Sequence, residues 1–294
     1  MAQRRVKNIA EYFFFILFAG LIRGLPRRLA LAIGAGLGTL MRRVQPRRER
    51  IARENLRQAF PEMSADKLDA AIAGIFRHLG LSGVEMLLLD RLNDSRLMER
   101  CVTVRGSEHL REAFSRGKGV IVLTGHVGFW EIGAVLLPSL GFPADFVAKR
   151  MKNPYIDNYF QKMREQRDCR VLDARHGARR ILKSLAENRA VGILIDQHTP
   201  PHRAVQVPFF DRPAWTTPII AQLAMKQQIP VVPAFCWRTP DNRYEVEMGP
   251  ALALEHGTDP QAVIVNTALM SKQIETAVRR DLTQWFWVHR RWRE

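Results

Sequence analysis

Between Thr124 and Ala134 the chain reads TGHVGFWEIGA, with an imidazole at 126 and a carboxylate at 131. A carboxylate beside an imidazole fixes its tautomer and supports the imidazolium formed when the ring takes a proton. The pair therefore equips His126 as a general base with Glu131 as its orienter. Five residues of continuous helix turn through about 140°, which would put the two side chains on different faces. They meet only if His126 lies outside the helix, in a strand-to-helix turn freed by Gly125 and Gly128, with Glu131 in the first helical turn. No Ser sits in a GxSxG elbow and no Cys is adjacent, so the nucleophile would come from a substrate, most simply a hydroxyl. HExxH is absent and Cys101, Cys169 and Cys236 are isolated, so the sequence implies no metal, no cofactor and no disulfide framework. On spacing alone a lone His and Glu are more often structural than catalytic.

The elements that must position this pair follow from periodicity. Gly119 to Thr124, Val191 to Ile195, Val231 to Phe235 and Tyr244 to Met248 are short, β-branched and bounded by Gly, Pro or Asp, as strands are. Helical spacing runs over 153–166 and 177–188, and Ser64 is the expected cap of another helix. Alternation of this kind predicts an α/β fold with a central mixed, largely parallel sheet flanked by helices, over residues 46–294. Five prolines between Thr199 and Pro218 predict a rigid loop or lid there.

Residues 1–45 predict a separate N-terminal segment of membrane-anchoring helices. Two apolar runs, Tyr12 to Ile22 and Leu29 to Met41, are flanked by Arg and are each shorter than the roughly 20 residues a spanning helix needs. They suit a segment that dips into one leaflet or a short single-pass anchor with snorkelling ends. Gly34 and Gly38 within the second run suit close helix packing better than a nucleotide loop. The chain has 45 Lys plus Arg against 29 Asp plus Glu, a formal charge of +16. Residues 1–58 hold 13 of those cations against three acids, net +10, beside the apolar runs. Cation next to apolar surface points to an anionic leaflet, and nucleic acid is the least supported partner. The aromatic and basic ending, QWFWVHRRWR, suits packing or a membrane interface.

The HVGFWE segment resembles the HxxxxD/E motif of the glycerolipid and lysophospholipid acyltransferase superfamily. More closely, the chain resembles the lipid A biosynthesis (lauroyl/myristoyl) acyltransferase family, which uses the Glu form. ARENLRQAFPEMSADKL (52–68) looks like that family's entry segment, KNPYIDNYFQKMR (152–164) like its second block, IDQHTPPHRAVQVPFF (195–210) like its third, and the C-terminal ending like its last. The resemblance implies a glycerolipid acyltransferase-like fold. It also implies transfer of a fatty acyl chain from acyl carrier protein to a hydroxyl of a lipid A precursor, at the cytoplasmic face of a bacterial inner membrane. His126 would be the base and Glu131 would hold it, with no acyl-enzyme. Arg164 would contact a substrate phosphate or carboxylate. Lys149 stands where the family usually has Arg, followed by Arg150, so either can take that role. Asp196 and Gln197 would end a strand on the same sheet edge as His126, with capping of the following loop as their alternative role. The same fold and motif also serve acyltransferases acting on phosphatidylinositol mannosides, lysophospholipids or aminolipids. From another class, a non-catalytic basic membrane-surface or nucleic-acid-binding protein would explain the charge.

Overall fold

A computed structural model describes residues 2–174, 177–255, 257 and 259–293. Four helices lead, α1 (Ala2–Gly24), α2 (Arg27–Val44), α3 (Pro46–Ala59) and α4 (Ala65–Met86), and then α5 (Ser95–Cys101). The alternating part follows: β1 (Val102–Arg105), α6 (Ser107–Ser115), β2 (Val120–Thr124), α7 (Gly133–Ser139), β3 (Ala144–Ala148), α8 (Pro154–Arg164), β4 (Cys169–Asp173), α9 (Gly177–Ala186) and β5 (Ala190–Leu194). It closes with β6 (Val205–Phe209), β7 (Arg212–Thr216), α10 (Ile219–Gln227), β8 (Val231–Arg238), β9 (Tyr244–Met248) and α11 (Pro260–Arg280).

Seven strands form one sheet in the order β1-β9-β8-β2-β5-β3-β4, parallel except where β8 meets β9. The expected α/β class with a mixed, largely parallel sheet is therefore what the chain adopts. Strand β2 is buried at every position because both faces are covered. Its Ile121 and Leu123 join the core with α4, α10 and α11, while Val120 and Val122 join the core with α6 and α7.

Two sequence expectations change. Short strands β1, β3 and β4 lie where no alternation was legible. The proline-rich segment is not irregular: β6 and β7 form an antiparallel hairpin in which Pro208 faces Pro213. Phe210 and Asp211 turn the chain with φ of 52° and 57°, the two positive values of a two-residue hairpin turn. Phe209 and Arg212 close that turn as a hydrogen-bonded pair, so the next pair outward needs no N–H donor and accepts two prolines.

The helical cap at Ser64 is present, its hydroxyl accepting the Lys67 N–H at 3.5 Å. Close packing at the small residues is present too: a Cβ on Gly34 would lie 2.8 Å from the Gly80 carbonyl oxygen, and one on Gly38 would run into that of Phe76. Helix α2 thus lies directly on α4. Among the described residues no helix is long and apolar enough to cross a membrane. Instead α1 leaves Val6, Ile9, Phe13, Leu17 and Leu21 exposed, and α2 leaves Leu29, Ile33, Leu37, Leu40 and Val44 exposed, each set at helical spacing along one side.

Candidate active site

The register of two neighbouring parallel strands builds the centre. Thr124 of β2 pairs with Leu194 of β5, so two residues past each strand end His126 and Asp196 emerge side by side at the carboxyl edge of the sheet. Asp196 is buried, 2% exposed. Its Oδ1 lies 2.8 Å from His126 Nδ1, and its Oδ2 accepts the His126 backbone N–H at 2.7 Å. Trp285 donates its indole N–H to the same Oδ2 at 2.7 Å. Burial alone would push this carboxyl up; the His126 ring, the two His126 N–H groups and the Trp285 indole outweigh it and hold it down at about 2. A carboxylate only accepts, so His126 carries its proton on Nδ1 and leaves Nε2 free to take another. The Gln197 amide nitrogen, 3.2 Å from Nε2, donates to it.

The carboxylate that holds His126 is therefore Asp196, and this corrects the expected pairing with Glu131. Glu131 lies in a short 3-10 turn, Trp130–Ile132, ahead of α7. It accepts two hydrogen bonds of 2.7 Å from Arg164 and none from His126. Burial alone would ease a proton off Arg164; its bonds to Glu131 outweigh this and raise its pKa. Arg164 thus holds Glu131 through its Nε and Nη2. Arg150 lies 3.4 Å from both Asp157 and Asp173. Lys149 shares a polar recess with Arg150 and Arg164. The structure thus joins His126, Asp196 and Gln197 in one cluster, and Glu131 and Arg164 in a second.

The turn between β2 and Glu131 is fixed by glycine. Gly128 has φ +58°, and a Cβ there would run into the Cys236 carbonyl oxygen. Its N–H donates to the Gln284 carbonyl at 2.7 Å, and its carbonyl accepts from buried His78 Nε2 at 3.1 Å. Burial, reinforced by the Arg238 charge, lowers the His78 pKa to about 4, so the ring is neutral at pH 7. Trp130 and Phe286 line His126 at ring-centre distances of 5.0 and 5.8 Å. An apolar cavity of about 40 Å³ opens beside Trp130, walled by Val122, Leu136, Phe146 and Ala234.

Sequence reading missed His78 and Trp285 as parts of this site. Trp285 belongs to the aromatic ending, expected only to pack nearby; Val127 in fact pairs with it as a β-bridge. Entry and ending also meet, Asn55 donating to the Trp287 and His289 carbonyls at 2.7 and 2.6 Å. His289 in turn accepts the His198 backbone N–H at 3.0 Å.

The sequence pattern of bacterial lipid A biosynthesis acyltransferases matches residues 2–294. The chain belongs to that family. As a lipid A biosynthesis acyltransferase family member, it is similar to the lipid A biosynthesis lauroyltransferase of Escherichia coli (strain K12), 27% identical over 93% of this chain and 88% of that protein. It is 28% identical to the palmitoleoyltransferase of the same organism, over 92% and 86%. A phosphatidylinositol mannoside acyltransferase of Mycolicibacterium smegmatis is 27% identical over 74% of this chain and 71% of that protein. This family member is an acyltransferase.

Proposed function

We propose that this acyltransferase moves a fatty acyl chain from an acyl carrier protein thioester to a hydroxyl of a lipid A precursor, with His126 as general base and Asp196 as its positioning carboxylate. The observation that carries the mechanism is the His126 Nδ1 to Asp196 Oδ1 contact of 2.8 Å, which leaves Nε2 as the acceptor atom. The Gln197 amide swings off Nε2 as the acceptor hydroxyl arrives. Nε2 takes the hydroxyl proton, and the oxygen attacks the thioester carbonyl carbon. The tetrahedral oxyanion is met by first-turn N–H groups at Trp130 and Glu131. As the C–S bond breaks, the imidazolium returns its proton to the departing thiolate, giving an ester and a free carrier thiol. Asp196 stays ionised and steadies the imidazolium between these steps. Glu131 acts through Arg164, holding the turn that carries those N–H groups against the base. The apolar cavity beside Trp130 has room for the first few methylenes of an acyl chain next to the carbonyl.

The lipid acceptor is supported by the family and by the named relatives. The relative that acts on phosphatidylinositol mannoside favours a second reading, the same chemistry on another membrane lipid. The exposed apolar sides of α1 and α2, flanked by Arg4, Arg5, Lys7, Arg42 and Arg43, support a monotopic seat on an anionic leaflet at the cytoplasmic face of the inner membrane. Mass spectrometry of lipid extracts from cells with and without the chain tests the acceptor. The expected result is a lipid A species lighter by one acyl chain when the chain is missing; unchanged lipid A with loss from another lipid class would replace the first reading by the second.

A further inference from the structure

The segment leaving β5 holds two imidazoles, and only one of them, His126, serves as the base. Asp196 meets His126 Nδ1 at 2.8 Å, the Gln197 amide lies 3.2 Å from His126 Nε2, and the next residue, His198, gives its backbone N–H to His289 Nε2 at 3.0 Å. Three consecutive residues thus set both rings on one short stretch of chain. His289 comes from the C-terminal ending, and its backbone is fixed on both sides. Its carbonyl accepts from Asn55 of α3 at 2.6 Å, and its N–H donates to the Phe286 carbonyl at 3.3 Å. Phe286 in turn lines His126, with 5.8 Å between ring centres.

One hydrogen bond decides the tautomer of His289. A neutral imidazole has one donor and one acceptor nitrogen, and Nε2 accepts a backbone N–H, so the proton sits on Nδ1. That N–H has no acceptor among the described residues and is not sealed off from solvent. Desolvation, reinforced by the charges of His126, Arg291 and His198, outweighs the pull of Asp196 and lowers the His289 pKa to about 4, so the ring is neutral at pH 7. Neutrality suits the reaction, since a second imidazolium beside His126 would oppose the proton that His126 must take. Around the tetrahedral carbon, three of four substituents already have their places under the proposed mechanism. The new ester oxygen lies at His126 Nε2, the oxyanion at the first-turn N–H groups, and the start of the acyl chain in the cavity beside Trp130. The fourth, the sulfur, is left for the flank on which Gln197, Phe286 and His289 stand. We propose that His289 is a further catalytic residue, donating its Nδ1–H to the departing sulfur as the C–S bond breaks. This rests on the acyltransfer reading above. The electron pair of that bond goes to sulfur, and His289 keeps its proton while its hydrogen bond steadies the new charge. The proton that ends on the thiol comes from His126 Nε2. Hydrogen bonds to an ionised acceptor are about twice as strong as neutral ones, so the donation favours the transition state over the bound thioester.

The test varies the leaving group. Wild type, His289→Leu and His289→Gln are assayed with the lipid A precursor and two donors of the same acyl chain. The pantetheine thioester leaves as a basic alkyl thiolate; the phenyl thioester leaves as a weakly basic aryl thiolate that needs little help. His289→Leu should lower kcat with the pantetheine thioester by about 10²-fold, with acceptor KM unchanged, and with the phenyl thioester by less than about threefold. His289→Gln accepts from His198 through its side-chain oxygen and donates through its nitrogen, so it should stay within about threefold of wild type with both donors. Equal losses with the two donors in His289→Leu overturn the proposal, because a merely structural role harms both reactions alike. So does a kcat unchanged with the pantetheine thioester. Transfer from neither thioester by wild type sinks the acyltransfer reading and takes this inference with it.

Discussion

His126 owes its tautomer to a residue 70 positions away, because the Asp196 carboxylate at Nδ1 can only accept and so keeps the proton there. Asp196→Asn keeps the size but lets an amide N–H face Nδ1, which favours the other tautomer. It should lower kcat by about 10²–10⁴-fold with little change in acceptor KM and a normal melting curve, read by steady-state kinetics. Gln197→Ala removes a group that must move aside, so transfer should survive within about tenfold. Both strand-end residues were legible as site candidates, since a buried strand followed by His or by Asp-Gln is visible in the chain. Their direct contact was not, because the register that sets 124 against 194 is a long-range pairing that local periodicity does not encode. Glu131 was misassigned for the same reason: Arg164 comes from another helix and captures it.

At the scale of elements, the turn that carries His126 is held by groups from α4 and from the C-terminal ending. His78→Leu leaves the buried Gly128 carbonyl without a donor and should cost about 1–3 kcal/mol of stability and lower kcat. His78→Gln, which can still donate, should recover most of both; circular dichroism melting alongside kinetics reads this. Gly128→Ala meets both the positive φ and the Cys236 carbonyl, and should destabilise by about 3 kcal/mol or more. The hairpin β6–β7 marks where local rules misled: proline density argues against strands unless the prolines sit opposite one another at a pair that uses no N–H. Helix stacking at Gly34 and Gly38 was readable because small residues four apart announce close approach.

Across the whole molecule, lowering the pH below neutral should destabilise the protein. Folded His78 titrates near 4 against 6.5 when exposed, so the unfolded chain binds more protons between those values. Stability is full above about pH 6.5 and falls as pH drops toward 4, by at most about 3 kcal/mol from this group. Desolvation lowers the half-buried His289 in the same direction, to about 4. Asp196, depressed to about 2 from 3.8, adds a loss of the same sign as pH falls below 4. Melting temperature measured from pH 8 to pH 4 should decline across that window, and His78→Gln should flatten part of the decline. Much of the charge excess, net +10, lies in residues 1–58, beside the exposed apolar sides of α1 and α2. Binding to phosphatidylglycerol vesicles should therefore weaken with salt yet persist through the apolar sides of α1 and α2, whereas complete release by salt alone would remove the monotopic seat.

The most direct test of the central claim is acyl transfer from an acyl carrier protein thioester to a lipid A precursor, followed by intact-lipid mass spectrometry for wild type and His126→Ala. Wild type should add the mass of one acyl chain and release free carrier thiol in equal amount, while His126→Ala forms no product above background although it is folded and binds both substrates. Near-normal transfer by His126→Ala would contradict the account.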